Sequence, residues 1–258
     1  MTSAFMAEMA THAGKTRSEN QDALDLYEQP LGRFAFLCDG MGGHQAGAKA
    51  AQIAIQSLRF YFDAFLKGKK NTAWADLPLK KALQEAFETA QAALVAQVAG
   101  QPQWAGMGTT AVVLLLAEKV AYCAHVGDSR LYVFKNQTLS RLTKDHSVVQ
   151  SLLDQKRLSP QQALQHPQRS VLTRVLGGED YQPDIQNLSP LLQSMQQGDM
   201  FLLCSDGLTN ELSDSEIETV LLNFNLDLKT KAEYLLAAAN RKGGHDNISL
   251  ILLEKVTA

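Results

Sequence analysis

Phe34-Ala-Phe-Leu-Cys-Asp39-Gly40-Met-Gly-Gly43-His44 runs an apolar stretch straight into an acid, three glycines and a histidine. A short apolar run of strand formers bounded by turn residues reads as a buried strand, so Asp39 stands at the tip of one. The pattern returns as Met200-Phe-Leu-Leu-Cys-Ser-Asp206-Gly207-Leu208, again an apolar strand, a cysteine and then Asp-Gly. Three more aspartates occupy strand ends or turns: Asp22 in Arg17-Ser-Glu-Asn-Gln-Asp22, Asp128 in Gly127-Asp-Ser-Arg130, and Asp246 in Gly243-Gly-His-Asp246-Asn. One Asp-Gly alone is usually a turn. Five such ends that converge would crowd carboxylates together, and two of them about 4 Å apart repel by about 4 kcal/mol at an effective dielectric of 20. A cation between them is the expected remedy.

Around these ends the strand pattern appears at about 3–9, 23–28, 33–38, 110–117, 119–126, 130–135, 200–204 and 248–254. Helical spacing fills the gaps, first at Ala50, Ile53, Ala54, Leu58, Tyr61, Phe62, Phe65 and then at Leu79, Leu83, Ala86, Phe87, Ala90, Leu94, Val98. The connection KGKKNTAWADLP between them reads as a surface loop. Ser213-Asp-Ser-Glu216 is a capping box opening a third helix, and a fourth runs from about Leu228 to Asn240 before Gly243-Gly244. Adjacent strands joined by short turns favour antiparallel pairing, and helices arrive in pairs between strand groups. The expected class is α+β: a central antiparallel β-sandwich flanked by pairs of α-helices, four layers in the order αββα. Residues 1–258 are expected to form a single catalytic domain. Residues 147–190 are polar, glutamine-rich and weakly periodic, with Ser159-Pro160 as a helix start, and read as a surface flap.

Composition narrows the chemistry. With 258 residues, 45% apolar content and net charge -3, the chain can bury a full core and shows no basic footprint for nucleic acid. Its longest apolar run, Ala111 to Ala117, falls far short of the roughly 20 residues that span a bilayer. The opening MTSAFMAEMATHAGKTR does not read as a signal peptide, and Cys38, Cys123 and Cys204 sit in strand-like segments without CxxC spacing. A cytoplasmic protein with reduced thiols, no membrane or nucleic-acid partner and a monomeric state is expected.

Carboxylates and carbonyls are hard ligands suited to Mg²⁺ or Mn²⁺, and a pair of such ions activates water against phosphate. Arg17 offers a planar fork for phosphate oxygens. A GxxxxGK[ST] loop is absent, and six residues separate Cys123 from Arg130 where a cysteine phosphatase needs five. A two-metal phosphodiesterase and a catalytically silent phosphoprotein-binding module remain as alternatives. The Asp-x-Asp-x-Asp-Gly spacing of a calcium loop is missing.

In order, the segments R17-SEN-QD22, FLCDG40-MGGH44, GMGTT110, AHVGDSR130-LY, LTKDHS147, LTRVLG177, LLCSDG207-L and GGHDN247-IS resemble the metal-dependent serine/threonine protein phosphatases of type 2C, in their compact bacterial branch. The resemblance covers nearly the whole chain and implies a β-sandwich between helix pairs. It implies hydrolysis of phosphoserine and phosphothreonine in proteins with Mn²⁺ or Mg²⁺, two ions in the core site and a third at Asp128. By position, the resemblance implies that Asp39 bridges the two ions, that the Gly40 carbonyl joins one, and that Asp206 and Asp246 hold the other. It further implies that Asp22 holds metal-bound water or approaches the metal, and that Arg17 binds the substrate phosphate. A cognate serine/threonine kinase is the implied opponent. Animal members read Asp-Gly-His where this chain has Met41, and a thioether donates no proton. His44 is a candidate general acid or a cap for the following helix. His12, His125, His146, His166 and His245 read as structural, Ser129 and Arg130 as turn stabilisers, and Arg169 and Arg174 as solvated surface or contacts for an acidic partner.

Overall fold

A computed structural model describes residues 5–29, 32–43, 45–69 and 72–256. The chain lays down β1 (Phe5–His12), β2 (Asp22–Gln29) and β3 (Gly32–Met41), then the long helices α1 (Ala46–Leu66) and α2 (Leu79–Gly100). β4 (Gly108–Thr109), β5 (Ala111–Ala117), β6 (Ala121–Val126), β7 (Arg130–Lys135) and β8 (Thr138–Arg141) follow, then the short helices α3 (Val148–Asp154) and α4 (Pro160–Leu164). β9 (Asp184–Asn187), α5 (Ser189–Ser194), β10 (Met200–Cys204), α6 (Asp206–Thr209), α7 (Asp214–Leu221), α8 (Leu228–Lys242) and β11 (Ile248–Lys255) complete it.

Two antiparallel sheets form, one in the order β1-β11-β10-β7-β8 and the other β2-β3-β5-β6-β9, with β4 appended to β3. Their facing surfaces meet through Ala35, Leu37, Val112, Leu114, Leu131, Phe201, Leu203 and Ile251. On the outer face of the second sheet, Phe34, Phe36, Val113 and Leu115 pack under α1 and α2. On the outer face of the first, Tyr132, Leu202, Leu250 and Leu252 pack under α7 and α8. This is the expected αββα sandwich. Its central strands read as unbroken apolar runs because neither face meets water.

Helix spacing accounts for the covering layers. Ala50, Ala54, Leu58 and Phe62 form one fully buried stripe along α1, with alanines admitting the sheet closely at one end and Phe62 filling the space at the other. Phe62 lies 4.2 Å from Phe34 between ring centres.

The α1–α2 connection departs from the surface loop expected for it. Trp74, in a single 3-10 turn, is 5% exposed and packs 5.4 Å from Phe34, so an aromatic anchor pins the loop into the core. Within the flap region, Ser159 caps α4 as expected, and Gln162 completes a capping box. The tail of that region is sheet: β9 pairs with β6, His125 opposite Asp184. β1 extends to His12, beyond the end read from pattern. All three cysteines are free and buried.

Phe62→Ala is expected to lower unfolding free energy by about 3 to 5 kcal/mol in a denaturant melt, as for other large-to-small core changes. Phe60→Ala, one residue away on the exposed face at 70% exposure, is expected to stay within about 0.5 kcal/mol of wild type.

Candidate active site

Strand pairing brings the first two carboxylates together. Asp22 opens β2 directly opposite Asp39 in β3, at the end where β3 runs on to pair with β4. The Asp39 backbone is held from the neighbouring strand: its N–H donates to Thr110 Oγ1 (3.0 Å), and its carbonyl accepts from the Thr110 N–H and the Thr109 hydroxyl (both 2.9 Å). Asp206 begins α6 two residues after β10, and Asp246 ends the turn that leads into β11. Asp128 follows Gly127, whose φ of 99° lets the chain turn tightly after β6. Five strand ends thus present their acids to one region.

Gly40 and Gly47 face each other across this region. A Cβ at Gly40 would overlap the Gly47 carbonyl and lie 2.7 Å from the Gln21 oxygen, and a Cβ at Gly47 would lie 2.7 Å from the Gly40 carbonyl oxygen. Only glycine at both positions lets the two backbones approach this closely.

The electrostatics record the crowding. Burial, followed by repulsion from Asp22, Asp206, Asp128 and Asp246, holds the Asp39 carboxyl well above its ordinary range. Asp22 is pushed up to about 6, chiefly by burial, with hydrogen bonds from Ser249 and Ser205 pulling back and the charges of Asp206 and Asp246 adding to the rise. Asp206 and Asp128 are raised for the same reasons, burial first. All four keep some solvent contact, so the cleft is open at the surface while its carboxylates remain poorly hydrated. Asp22 Oδ2 accepts from Ser205 Oγ (2.9 Å), but Asp22 Oδ1 is buried without a hydrogen-bond partner. Clustered, under-solvated carboxylates and an orphaned carboxylate oxygen form a hard donor set that fits divalent Mn²⁺ or Mg²⁺.

Side chains that sequence patterns left without a role hold this arrangement. Asn247 accepts the Gln21 N–H (2.8 Å) and donates to the Ala13 and Glu19 carbonyls (2.9 and 2.8 Å). It thereby fastens the segment carrying Arg17 beside the Asp246 turn, where Arg17 Nη2 meets Asp246 Oδ2 at 2.8 Å. Ser205 receives the Ser249 N–H (3.0 Å) while donating to Asp22. Arg130 does more than stabilise its turn: it grips Asp145 with both arms of its fork (3.0 and 2.7 Å). Ser129 shares a hydrogen bond with Thr110 (2.7 Å). Nothing short of the three-dimensional pairing signals these roles, since each partner is distant in sequence.

Among the histidines, His12 accepts the Gly14 N–H (2.9 Å), His166 accepts the Gln168 N–H (3.2 Å), and His245 is held by Glu211 (2.7 Å). His44 lies outside the described residues.

His125, His146 and Asp184 offer ligand atoms within 4.8 Å of one another, and His146 adjoins Gly127 just before Asp128. Hydrogen bonds already tie His146 and Asp184 to the rest of the protein. Gly127 N–H donates to His146 Nδ1 (3.2 Å), which places the ring proton on Nε2, facing Asp184 Oδ2 at 3.2 Å. Arg174 already neutralises Asp184 at 2.9 Å and stands 3.3 Å from His146 Nε2. The two imidazoles stack at 4.6 Å with only 17° between their planes, so their in-plane lone pairs do not converge. Arg174 is therefore an internal tie rather than free surface.

Residues 11–228 match the protein phosphatase 2C family. A serine/threonine phosphatase (stp) of Listeria welshimeri is 36% identical over 96% of this chain and 95% of its own length. The chain belongs to the protein phosphatase 2C family. It is a metal-dependent serine/threonine protein phosphatase. Among solved structures, the Streptococcus agalactiae serine/threonine phosphatase superposes with a TM-score of 0.86 at 30% identity, covering 98% of this chain and 100% of that one. The catalytic domain of serine threonine protein phosphatase PstP, in complex with two manganese ions, superposes with a TM-score of 0.79 at 30% identity, covering 98% and 99%. The αββα sandwich of this phosphatase is thus shared with its solved relatives. No described helix is long and apolar enough to cross a membrane.

The crowding of its acids has a measurable cost in the metal-stripped phosphatase. Because the Asp22 carboxyl titrates near 6 in the folded chain and at 3.8 in the ordinary reference, the folded state binds more protons between those values. Stability contributed by this group therefore falls as pH rises through the window. In EDTA-treated protein, Asp22→Asn is expected to melt above wild type at pH 7, and the difference to shrink as pH falls from 6 towards 4, in a series of thermal melts.

Proposed function

We propose that the converging aspartates are the metal-binding and catalytic centre of this phosphatase, acting on phosphoserine and phosphothreonine in proteins. The observation that carries the reading is the pairing of Asp22 opposite Asp39, with a buried Asp22 oxygen left without a hydrogen-bond partner, at the strand ends that also bring in Asp206, Asp128 and Asp246. In it, Asp39 and the Gly40 carbonyl would hold two Mn²⁺ or Mg²⁺ ions between them, Asp206 and Asp246 would complete one coordination shell, and Asp22 would hold water at the rim. Asp128 would hold a third ion. Bound divalent ions supply Lewis acidity, acidifying water and offsetting charge on the phosphoryl oxygens. Arg17, half-exposed beside Asp246, places its guanidinium where two phosphoryl oxygens can be met by one planar fork. Ser205 and Asn247 orient the carboxylates and the arginine segment from behind.

The leaving alcohol needs a proton, and Met41 has none to give. We assign that task to His44. The whole described chain reads as one catalytic domain with residues 147–190 as its flap, although β9 belongs to the sandwich. We further read it as a monomer in the cytoplasm, opposing a serine/threonine kinase, without a nucleic-acid or membrane partner. Its most exposed large apolar side chains, Leu164 in α4, Phe60 in α1 and Phe224 between α7 and α8, lie on separate elements, and its three cysteines are free and buried.

Hydrolysis of a phosphothreonine peptide by purified protein tests the assignment. Activity is expected with Mn²⁺ or Mg²⁺ and to vanish in EDTA, and Asp39→Asn and Asp206→Asn are expected to lower kcat/KM by at least about 10³-fold, roughly 4 kcal/mol of transition-state stabilisation. Activity of either variant near wild type, with the fold intact by circular dichroism, would remove the cluster from the catalytic centre.

A further inference from the structure

The strongest unassigned feature lies between β8 and the turn joining α3 to α4. An open groove of about 570 Å³ is lined there by Arg141, Lys156 and Arg157, with Leu153 and Leu158 as an apolar floor. Its one acid, Asp154, is taken by Lys144 at 2.6 Å. Among the described residues neither Lys156 nor Arg157 has an ion-pair partner, and both are exposed. The groove therefore carries a net positive charge within a chain whose total is -3.

A backbone observation points the same way. α3 ends in a tight closure, with the Lys156 N–H donating to Leu153 O and the Arg157 N–H to Leu152 O (both 2.9 Å). Lys156 has a φ of 56°, the left-handed conformation that glycine adopts without strain at this position. A side chain kept at a strained position invites a functional explanation, and here it sets an unpaired ammonium on the groove wall.

We propose that this groove docks a carboxylate-rich segment of the phosphoprotein substrate, an interaction that rests on the phosphatase reading of the aspartate cleft and is separate from it. The groove is within reach of a bound peptide. Arg141 touches Asp145 at 3.5 Å, and Asp145 is gripped by Arg130, two residues beyond Asp128. Extended peptide covers about 3.3 to 3.6 Å per residue, so an acidic run starting several residues from the phosphothreonine can lie along it. Exposed cations of this kind act on encounter and on KM rather than on the chemical step, and salt screens them.

The test compares the Mn²⁺-loaded protein on two phosphothreonine peptides, one with neutral flanks and one with a glutamate run placed at increasing distance on either side. An acidic run on one side is expected to lower KM about 5- to 10-fold at low salt with kcat unchanged, the advantage fading as ionic strength rises. Lys156→Glu with Arg157→Glu is expected to abolish the advantage while leaving an aryl phosphate and the neutral peptide untouched. Lys156→Gly, which relieves the backbone and removes one cation, is expected to lose part of the advantage without losing stability. Direct binding of the same acidic peptide lacking phosphate, read by fluorescence anisotropy, separates the two readings. Binding that depends on Lys156 and Arg157 in an enzyme inert on every phosphate ester would sustain the groove and defeat the phosphatase assignment. Equal KM for both peptides, an advantage that survives charge reversal, or a response to a second phosphothreonine but not to glutamate would overturn the proposal.

Discussion

Asp22 and Asp39 stand opposite each other across an antiparallel strand pair, an arrangement in which like charges destabilise a sheet. The rest of the architecture makes this tolerable. β3 is buried on both faces and cannot slip by one residue without turning its apolar set inside out, and β2 pairs with it along its whole length, so the register that sets the two acids opposite each other is fixed. Thr109 and Thr110 hold the Asp39 backbone from one side, while Ser205 and Asn247 hold the Asp22 and Asp246 segments from the other. Repulsion built into a rigid frame is what the proposed divalent cations would relieve.

The legible part of the fold is the part whose two neighbours are both apolar. β3, β5, β10 and β11 show as continuous hydrophobic runs because each is sandwiched between the facing sheet and a helix layer, and the stripe of α1 and α2 shows at helical spacing for the same reason. β8 and β9 are edge strands, half-exposed or exposed, and their short polar sequences carry no such period. Trp74 was hidden in a polar connection because one inserted aromatic leaves no pattern around it.

The candidate site divides along a similar line. Asp39 and Asp206 announce themselves because glycine follows each at a strand tip, and Asp128 and Asp246 because glycines precede them. The supports do not. Asn247 works by bridging to Ala13, Glu19 and Gln21, Arg130 by reaching Asp145, and His146 by accepting from Gly127 while facing Asp184. A residue whose role is to satisfy backbone groups in another segment looks like any polar residue until the segments are side by side.

Arg17 and Asp246 touch although they are 229 residues apart in sequence, and β1 pairs with β11 along its whole length. At a translation rate of about 5 to 20 residues per second, roughly 10 to 50 seconds separate the synthesis of one from that of the other. During that interval the emerging chain can build the β2-β3-β5-β6 sheet and the helices above it, yet the arginine has no partner to fix it. With Arg17 in the phosphate-binding role proposed for it, substrate capture is deferred until β11 docks, and a ribosome-bound intermediate with most of its core in place would be unable to strip phosphate from its neighbours.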